Sequence, residues 1–334
     1  MIDSEKKYQE LRNKTLPGLL FERAGKTPHD VAYRAKKYGI YQDRTWSKFK
    51  EMVAACALGL KELGLGHGDR LALMGDPCEE YVICELAAEV LGAITFGVYP
   101  TSSQKELNYL MEDGGACIFV AENQEYVDRI LPLFDTLTHL KYIVVIDDQG
   151  MFMYAHSALI PYEKLVQEGN RIHIANPDGI EEIVAHVKPS NGAFIVYTSG
   201  TTGNPKGALI SHGKHLAGAY NIIDRFPILV EIPHRTVVYL PLCHILGKDV
   251  AVTLPLLSRI VPHFGEDIED LGLTLFEVAP TVIITVPRYL QKFVSNIIVG
   301  IDNSSRFKKY VYQLSLRFSR SYIKRLWEGR AISF

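Results

Sequence analysis

The chain has no apolar run long enough to cross a bilayer. The best candidate, Val237 to Val261, is broken by Lys248, Asp249 and Arg259. The N-terminus, MIDSEKKYQE, is charged and has no apolar core of a secretory leader. Cysteine is sparse and odd in number: Cys56, Cys78, Cys84, Cys117 and Cys243, with no CxxC pair. That excludes a disulfide framework and a Cys-rich zinc site, and fits reduced thiols and a cytoplasmic setting. No repeat of solenoid period and no low-complexity tract is present. A net charge of −2 gives the whole molecule no bias toward nucleic acid, and none is expected as a partner.

What is present is an ordinary globular composition, 47% apolar and 22% charged over 334 residues, enough to bury a core without metal or disulfides. Helix and strand patterns alternate. Phe49, Val53, Cys56, Leu60 and Leu63 step by four and three on one helical face, which Gly64 and Gly66 end. Apolar runs at 71–74, 93–98, 117–121 and 142–146 predict strands, with helices at 79–91 and, behind a Ser103/Glu106 capping box, to about 113. Strands are also expected at 193–197, 237–240 and 281–286, and a helix from Arg288. This is the signature of an α/β fold with stacked, mostly parallel sheets flanked by helices. From Asp147 to Asn191 the pattern is broken by Asp147-Asp148, Gly150, Pro161, Gly169 and Asn176-Pro177. The expectation there is surface connection outside the core, with one large domain or two subdomains hinged at 147–191.

The most informative segment is Tyr197-Thr198-Ser199-Gly200-Thr201-Thr202-Gly203-Asn204-Pro205-Lys206-Gly207. Hydroxyls, glycines and one lysine follow an apolar strand. Glycine turns backbone N–H groups inward, hydroxyls donate to phosphate oxygens, and lysine adds a point charge. It is not a Walker A loop, because Pro205 precedes the lysine, Gly207 follows it, and Ala208 to Ile210 reads as a return strand. Four residues of this string would pass for a surface turn, but all eleven together do not. The string matches [YF]-T-S-G-[ST]-T-G-x-P-K-G at every fixed position, and so resembles the ATP-phosphate loop of the adenylate-forming superfamily of acyl-CoA synthetases, luciferases and peptide-synthetase adenylation domains. Gly68-Asp69-Arg70, Tyr99-Pro100-Thr101-Ser102-Ser103, Leu240-Pro241-Leu242-Cys243-His244-Ile245 and Val286-Pro287-Arg288 with Lys292 are similar to segments of long-chain fatty acyl-CoA synthetases. Leu246-Gly247-Lys248 departs from the long-chain pattern toward shorter-chain and aromatic-acid ligases.

The resemblance implies an incomplete N-terminal AMP-binding domain over 1–334. Thr198, Ser199, Gly200, Thr201, Thr202, Gly203 and Lys206 would hold ATP phosphates, and His244 would sit on the acyl side of the pocket. It implies ATP, Mg²⁺ and CoA, and a medium- or long-chain fatty acid activated through acyl-AMP. His244 and Arg288 also read as ordinary structural residues. The family's adenine segment, ribose aspartate, hinge and lysine-bearing C-terminal domain do not follow in this sequence. The chain alone is therefore expected to be inactive, either as the front of a ligase or as a non-catalytic product needing a complementing C-terminal chain; transfer to a carrier-protein thiol is a third reading. Finally, Phe307, Val311, Leu314, Phe318, Tyr322 and Leu326 lie on one helical face amid eight Lys and Arg. A core-packed helix is expected, with peripheral contact to an anionic membrane as the alternative.

Overall fold

The computed structural model describes residues 2–198 and 203–328. Two units are resolved by their internal packing, Met1–Ile283 and Ile284–Phe334. The strands of the first are β1 (Val31–Lys37), β2 (Ile40–Thr45), β3 (Arg70–Met74), β4 (Ile94–Val98), β5 (Ile118–Ala121), β6 (Tyr142–Val145), β7 (Leu159–Pro161), β8 (Gly192–Thr198), β9 (Lys206–Ser211), β10 (His234–Val238) and β11 (Ile260–Phe264). One sheet runs β10-β11-β1-β2 and the other β7-β6-β5-β3-β4-β8-β9. In the larger sheet every pairing is parallel except β8/β9. In the smaller sheet only β1/β2 is antiparallel.

The period of two along a strand explains how the large sheet is buried on both faces. Leu71, Leu73, Ile118, Val120 and Val144 enter one core, while Ala72, Met74, Phe119, Ala121, Ile143 and Val145 enter the other. The first core also takes Tyr33, Val238 and Phe264 from the small sheet, so it fills the space between the sheets. Helices on both faces of the large sheet are set by their caps. Thr45 accepts the Lys48 N–H before the helix Trp46–Glu62, and Ser103 accepts the Glu106 N–H before Gln104–Gly114, which Gly115 ends at φ +60°. The helix Glu79–Val90 buries every residue but Glu80. A helix enclosed on all sides must find partners for its charges. Glu79 finds them at its first turn, in a two-bond pair with Arg44 and in the Tyr33 hydroxyl.

Three expectations change. First, the 147–191 segment is surface connection only in its first part, to about 157; from Ala158 to Val187 it contributes to the core. It supplies edge strand β7 and the helix Tyr162–Ala175, which crosses the helix Trp46–Glu62 with Leu165 and Gly169 buried. The contacts divide the chain at Ile283, not at 147–191. Second, 281–286 is not a strand: the N–H groups of Thr281 and Val282 both go to the single carbonyl of Arg235, so no ladder forms. Third, the second unit consists of the helices Pro287–Asp302 and Arg306–Trp327, and neither buries a side chain, so the amphipathic helix is not core-packed. No helix among the described residues is long and apolar enough to cross a membrane.

Candidate functional site

Parallel strands deliver their following loops to one end of a sheet, where ligands of α/β folds gather. β8 and β9 form an antiparallel hairpin in which Thr198 pairs with Lys206, Tyr197 with Gly207 and Val196 with Ala208. The expected return strand is therefore present, and the two ends of the phosphate-loop motif face each other across its mouth. Ser199, Gly200, Thr201 and Thr202 lie outside the described residues. Thr198, Gly203 and Lys206 are exposed. Lys206 has no carboxylate partner among the described residues. Gly203 sits at φ +106°, where side chains are strained, and a Cβ there would meet nothing within 4 Å.

The base of the turn is fixed. The Tyr197 hydroxyl donates to Asp113 Oδ2 at 2.8 Å and its ring meets Phe96 edge-on. Burial, then Asp113, pushes the Tyr197 phenol up. Tyr109 donates to the Pro205 carbonyl at 3.1 Å, pinning the chain just before Lys206. At Gly207 a Cβ would lie 2.8 Å from Ile195, so glycine lets β9 close onto β8.

His244 reaches the same sheet through β4, the neighbour of β8. A Cβ at Gly97 would lie 2.4 Å from Cys243 Cβ and 2.6 Å from the Tyr81 hydroxyl. Only glycine in mid-strand allows the 241–244 turn to come this close. Burial and then Cys243 push the neighbouring Tyr99 phenol up to about 12. His244 is exposed and caps the short helix Ile245–Lys248, its Nδ1 accepting the Leu246 N–H at 3.2 Å. In the neutral ring the proton is then on Nε2.

One turn on from His244 the structure holds a cluster that sequence reasoning missed. Lys248, 2% exposed, donates to Glu89 at 2.5 Å and to Glu85 at 3.0 Å, both on the enclosed helix, and lies over the Phe194 ring. Burial alone would lower Lys248, but the two carboxylates outweigh it and hold its pKa up. Burial raises both glutamates. His212 and His215 are pushed down to about 3 by burial and then by Lys248. His212 Nδ1 accepts the Leu16 N–H, so its 3.8 Å approach to Glu89 joins a neutral ring to a carboxylate and is not an ion pair. The signal in the sequence was a pair of glutamates four apart, Glu85 and Glu89, within the apolar stretch that follows the helix's acidic first turn.

Asp249 begins a π-helical turn beside this cluster. Burial pushes it up to about 7 from an ordinary 3.8, against the pull of Lys248. The unfolded chain loses that proton near pH 4 and the folded chain near pH 7, so the stability this group confers is whole at low pH and lost as pH rises through about 7. Asp249→Asn stays neutral throughout. It is expected to gain on the parent by about 2–4 kcal/mol between acid and mildly alkaline pH, read from paired urea unfolding curves.

Two clefts lie elsewhere. One of about 550 Å3, lined by Arg12, Gly192, Ser211 and Lys214, is at the opposite end of the β8/β9 hairpin from Lys206. Another of about 490 Å3 is rimmed by Asp76, Glu122, Glu266 and Asp267, and burial pushes Glu122 up to about 7. No group of three or more His, Cys, Asp or Glu among the described residues is arranged to hold a metal ion.

The profile of the AMP-binding enzyme family matches residues 20–320. The chain belongs to that family. Among curated AMP-binding relatives it is 27% identical over 274 residues to the long-chain-fatty-acid–CoA ligase FadD15 of Mycobacterium bovis, covering 82% of this chain and 44% of that protein. It is 29% identical over 284 residues to the ligase ACSBG2 of Xenopus laevis, covering 83% and 38%. The chain thus spans less than half the length of these relatives. Among solved structures it superposes on the anthranilate CoA ligase AuaEII with anthranoyl-AMP (TM-score 0.67, 18% identity, 81% of this chain and 49% of that one). It also superposes on the N-terminal domain of FACL13 from Mycobacterium tuberculosis (0.62, 20%, 83% and 64%). The stacked α/β sheets are those of an adenylate-forming N-terminal domain.

Proposed function

We propose that this chain is the phosphate-gripping part of an ATP-dependent acid–thiol ligase that activates a medium- or long-chain fatty acid through acyl-AMP to acyl-CoA. The observation that carries the reading is the β8/β9 hairpin, which pairs Thr198 with Lys206, a cation with no carboxylate partner among the described residues, and holds Gly203 at positive φ. In the first half-reaction a carboxylate oxygen attacks the α-phosphorus of ATP and pyrophosphate leaves. Bringing a carboxylate to a polyanion calls for charge neutralisation and positioning above all. Lys206 and the Thr198 hydroxyl supply these at the β and γ phosphates, and His244 Nε2 offers a donor on the carboxylate side. In the second half-reaction a CoA sulfur replaces AMP at the acyl carbon. Mg²⁺, implied by the resemblance, finds no ligand set among the described residues, and no step is derived through it.

A second reading is favoured by length. The chain spans 36–45% of the length of the curated relatives compared with it, and the second reading is of a non-catalytic product that needs a complementing segment. Both readings are tested together. Calorimetry should show tripolyphosphate binding to the 334-residue chain, weakened at least about tenfold in Lys206→Ala through loss of a charge-assisted contact. The same chain should give no ATP–pyrophosphate exchange with any fatty acid. Unchanged binding in the variant would remove the phosphate assignment, and robust exchange would remove the need for a second segment.

A further inference from the structure

The second unit is where charge and apolar surface concentrate. Residues 284–334 hold ten Lys and Arg against Asp302 and Glu328, a net of +8, so the other 283 residues carry −10 within a whole-chain −2. At about 100° per residue, Phe307, Val311, Leu314, Phe318, Tyr322 and Leu326 share one face of the helix Arg306–Trp327. Arg306, Lys309, Arg317, Arg320 and Lys324 take the other side. Lys308 and Arg325 fall at or within the apolar arc, on stems long enough to reach back to a plane of headgroups. The preceding helix, Pro287–Asp302, repeats the design with Leu290, Val294, Ile297 and Ile301 on one face. Phe307 and Phe318 are about three-quarters exposed and Trp327 is 87% exposed.

We propose that the helical pair Pro287–Trp327 is a docking surface for an anionic phospholipid membrane, on which it lies flat. The argument is charge complementarity joined to an apolar face. Either signal alone gives marginal membrane affinity, and the two together give stable anchoring. A protein occupant is less well matched. A second copy meeting this face symmetrically would bring +8 against +8. The inference does not depend on the ligase reading, since it needs no ATP site.

The chain carries its own reporter. Trp46 is 2% exposed and Trp327 87% exposed, so a change in emission on docking comes from Trp327, and Trp327→Phe removes it without touching the core. The 334-residue chain is mixed with vesicles of phosphatidylcholine alone or with added phosphatidylserine. With phosphatidylserine the emission should shift to the blue and the protein should sediment with the vesicles; with phosphatidylcholine alone it should do neither. Raising salt from about 0.05 M to about 0.5 M should weaken binding at least tenfold. Replacing Lys308, Arg317 and Arg325 by Gln should weaken it on the order of a hundredfold, about fivefold per cation, with the circular dichroism unchanged. The proposal is overturned by equal binding to neutral vesicles, by no shift with either vesicle, or by a vesicle-free blue shift that grows with protein concentration, which would make the occupant a second copy.

Discussion

Replacing Gly169 with alanine should destabilise the first unit by at least about 4 kcal/mol, enough in many proteins of this kind to abolish folding. The added Cβ would lie 1.8 Å from the Ala55 carbonyl oxygen and 2.8 Å from the Gly59 nitrogen. Gly59 faces the same constraint from the other side, its Cβ meeting the Leu165 carbonyl oxygen at 2.3 Å. Both obstacles are backbone, so no rotamer change relieves them. The helices Trp46–Glu62 and Tyr162–Ala175 would have to separate, and the core between the sheets would open with them. Gly25, in a helix but with nothing within 4 Å of its Cβ, is the control: Gly25→Ala should be neutral or gain up to about 1 kcal/mol. Chemical denaturation of the two variants side by side decides it. Equal midpoints would mean that the helices do not cross at these glycines.

Lys248→Met is the second large effect. It fills the volume but leaves Glu85 and Glu89 facing each other without a cation, and breaking a buried pair from one side costs about 3–5 kcal/mol. Two acceptors, Glu85 Oε2 and Glu89 Oε2, already lack a partner, so losing the Lys248 ammonium adds to polar atoms already left unsatisfied. The loss should be largest at alkaline pH. Burial already raises both glutamates, and once Lys248 is gone they take up protons still more readily, so acid restores part of the stability. Adding Glu85→Gln and Glu89→Gln should recover most of it. A variant as stable as the parent at pH 8 would show that Lys248 is not paired in solution.

The strands at 71–74, 118–121 and 142–145 were legible because parallel strands buried on both faces are short apolar runs, and a run needs no partner to be recognised. The eleven-residue motif stood out because residues of restricted chemistry sit at fixed spacing, and the structure adds the pairing of its two ends, Thr198 with Lys206. The crossing at Gly169 was not. A glycine among Asp-Asp, Pro and Asn-Pro punctuation looks like one more loop residue, and the need for close approach exists only once the second helix is in place. Lys248 stood in plain view as the residue that interrupts an apolar stretch, but a single sequence does not say that its answer lies some 160 positions earlier. For the helix Arg306–Trp327, periodicity told which face was apolar and said nothing about what would cover it, so the expected core packing failed. At 281–286 the apolar composition suited a strand, and the two N–H groups converging on Arg235 ruled one out.

The β8/β9 hairpin has one more consequence. β9 is the last strand of its sheet, attached only to β8, and Lys206 to Leu209 are all exposed. Strands β3 and β5, paired on both sides within two cores, come apart only when everything does, whereas a singly attached border strand can fray alone for a fraction of that free energy. β9 shares that position with the three-residue β7 at the other border, and a ligand that settled between Thr198 and Lys206 would tighten one of the two margins with slack left to lose.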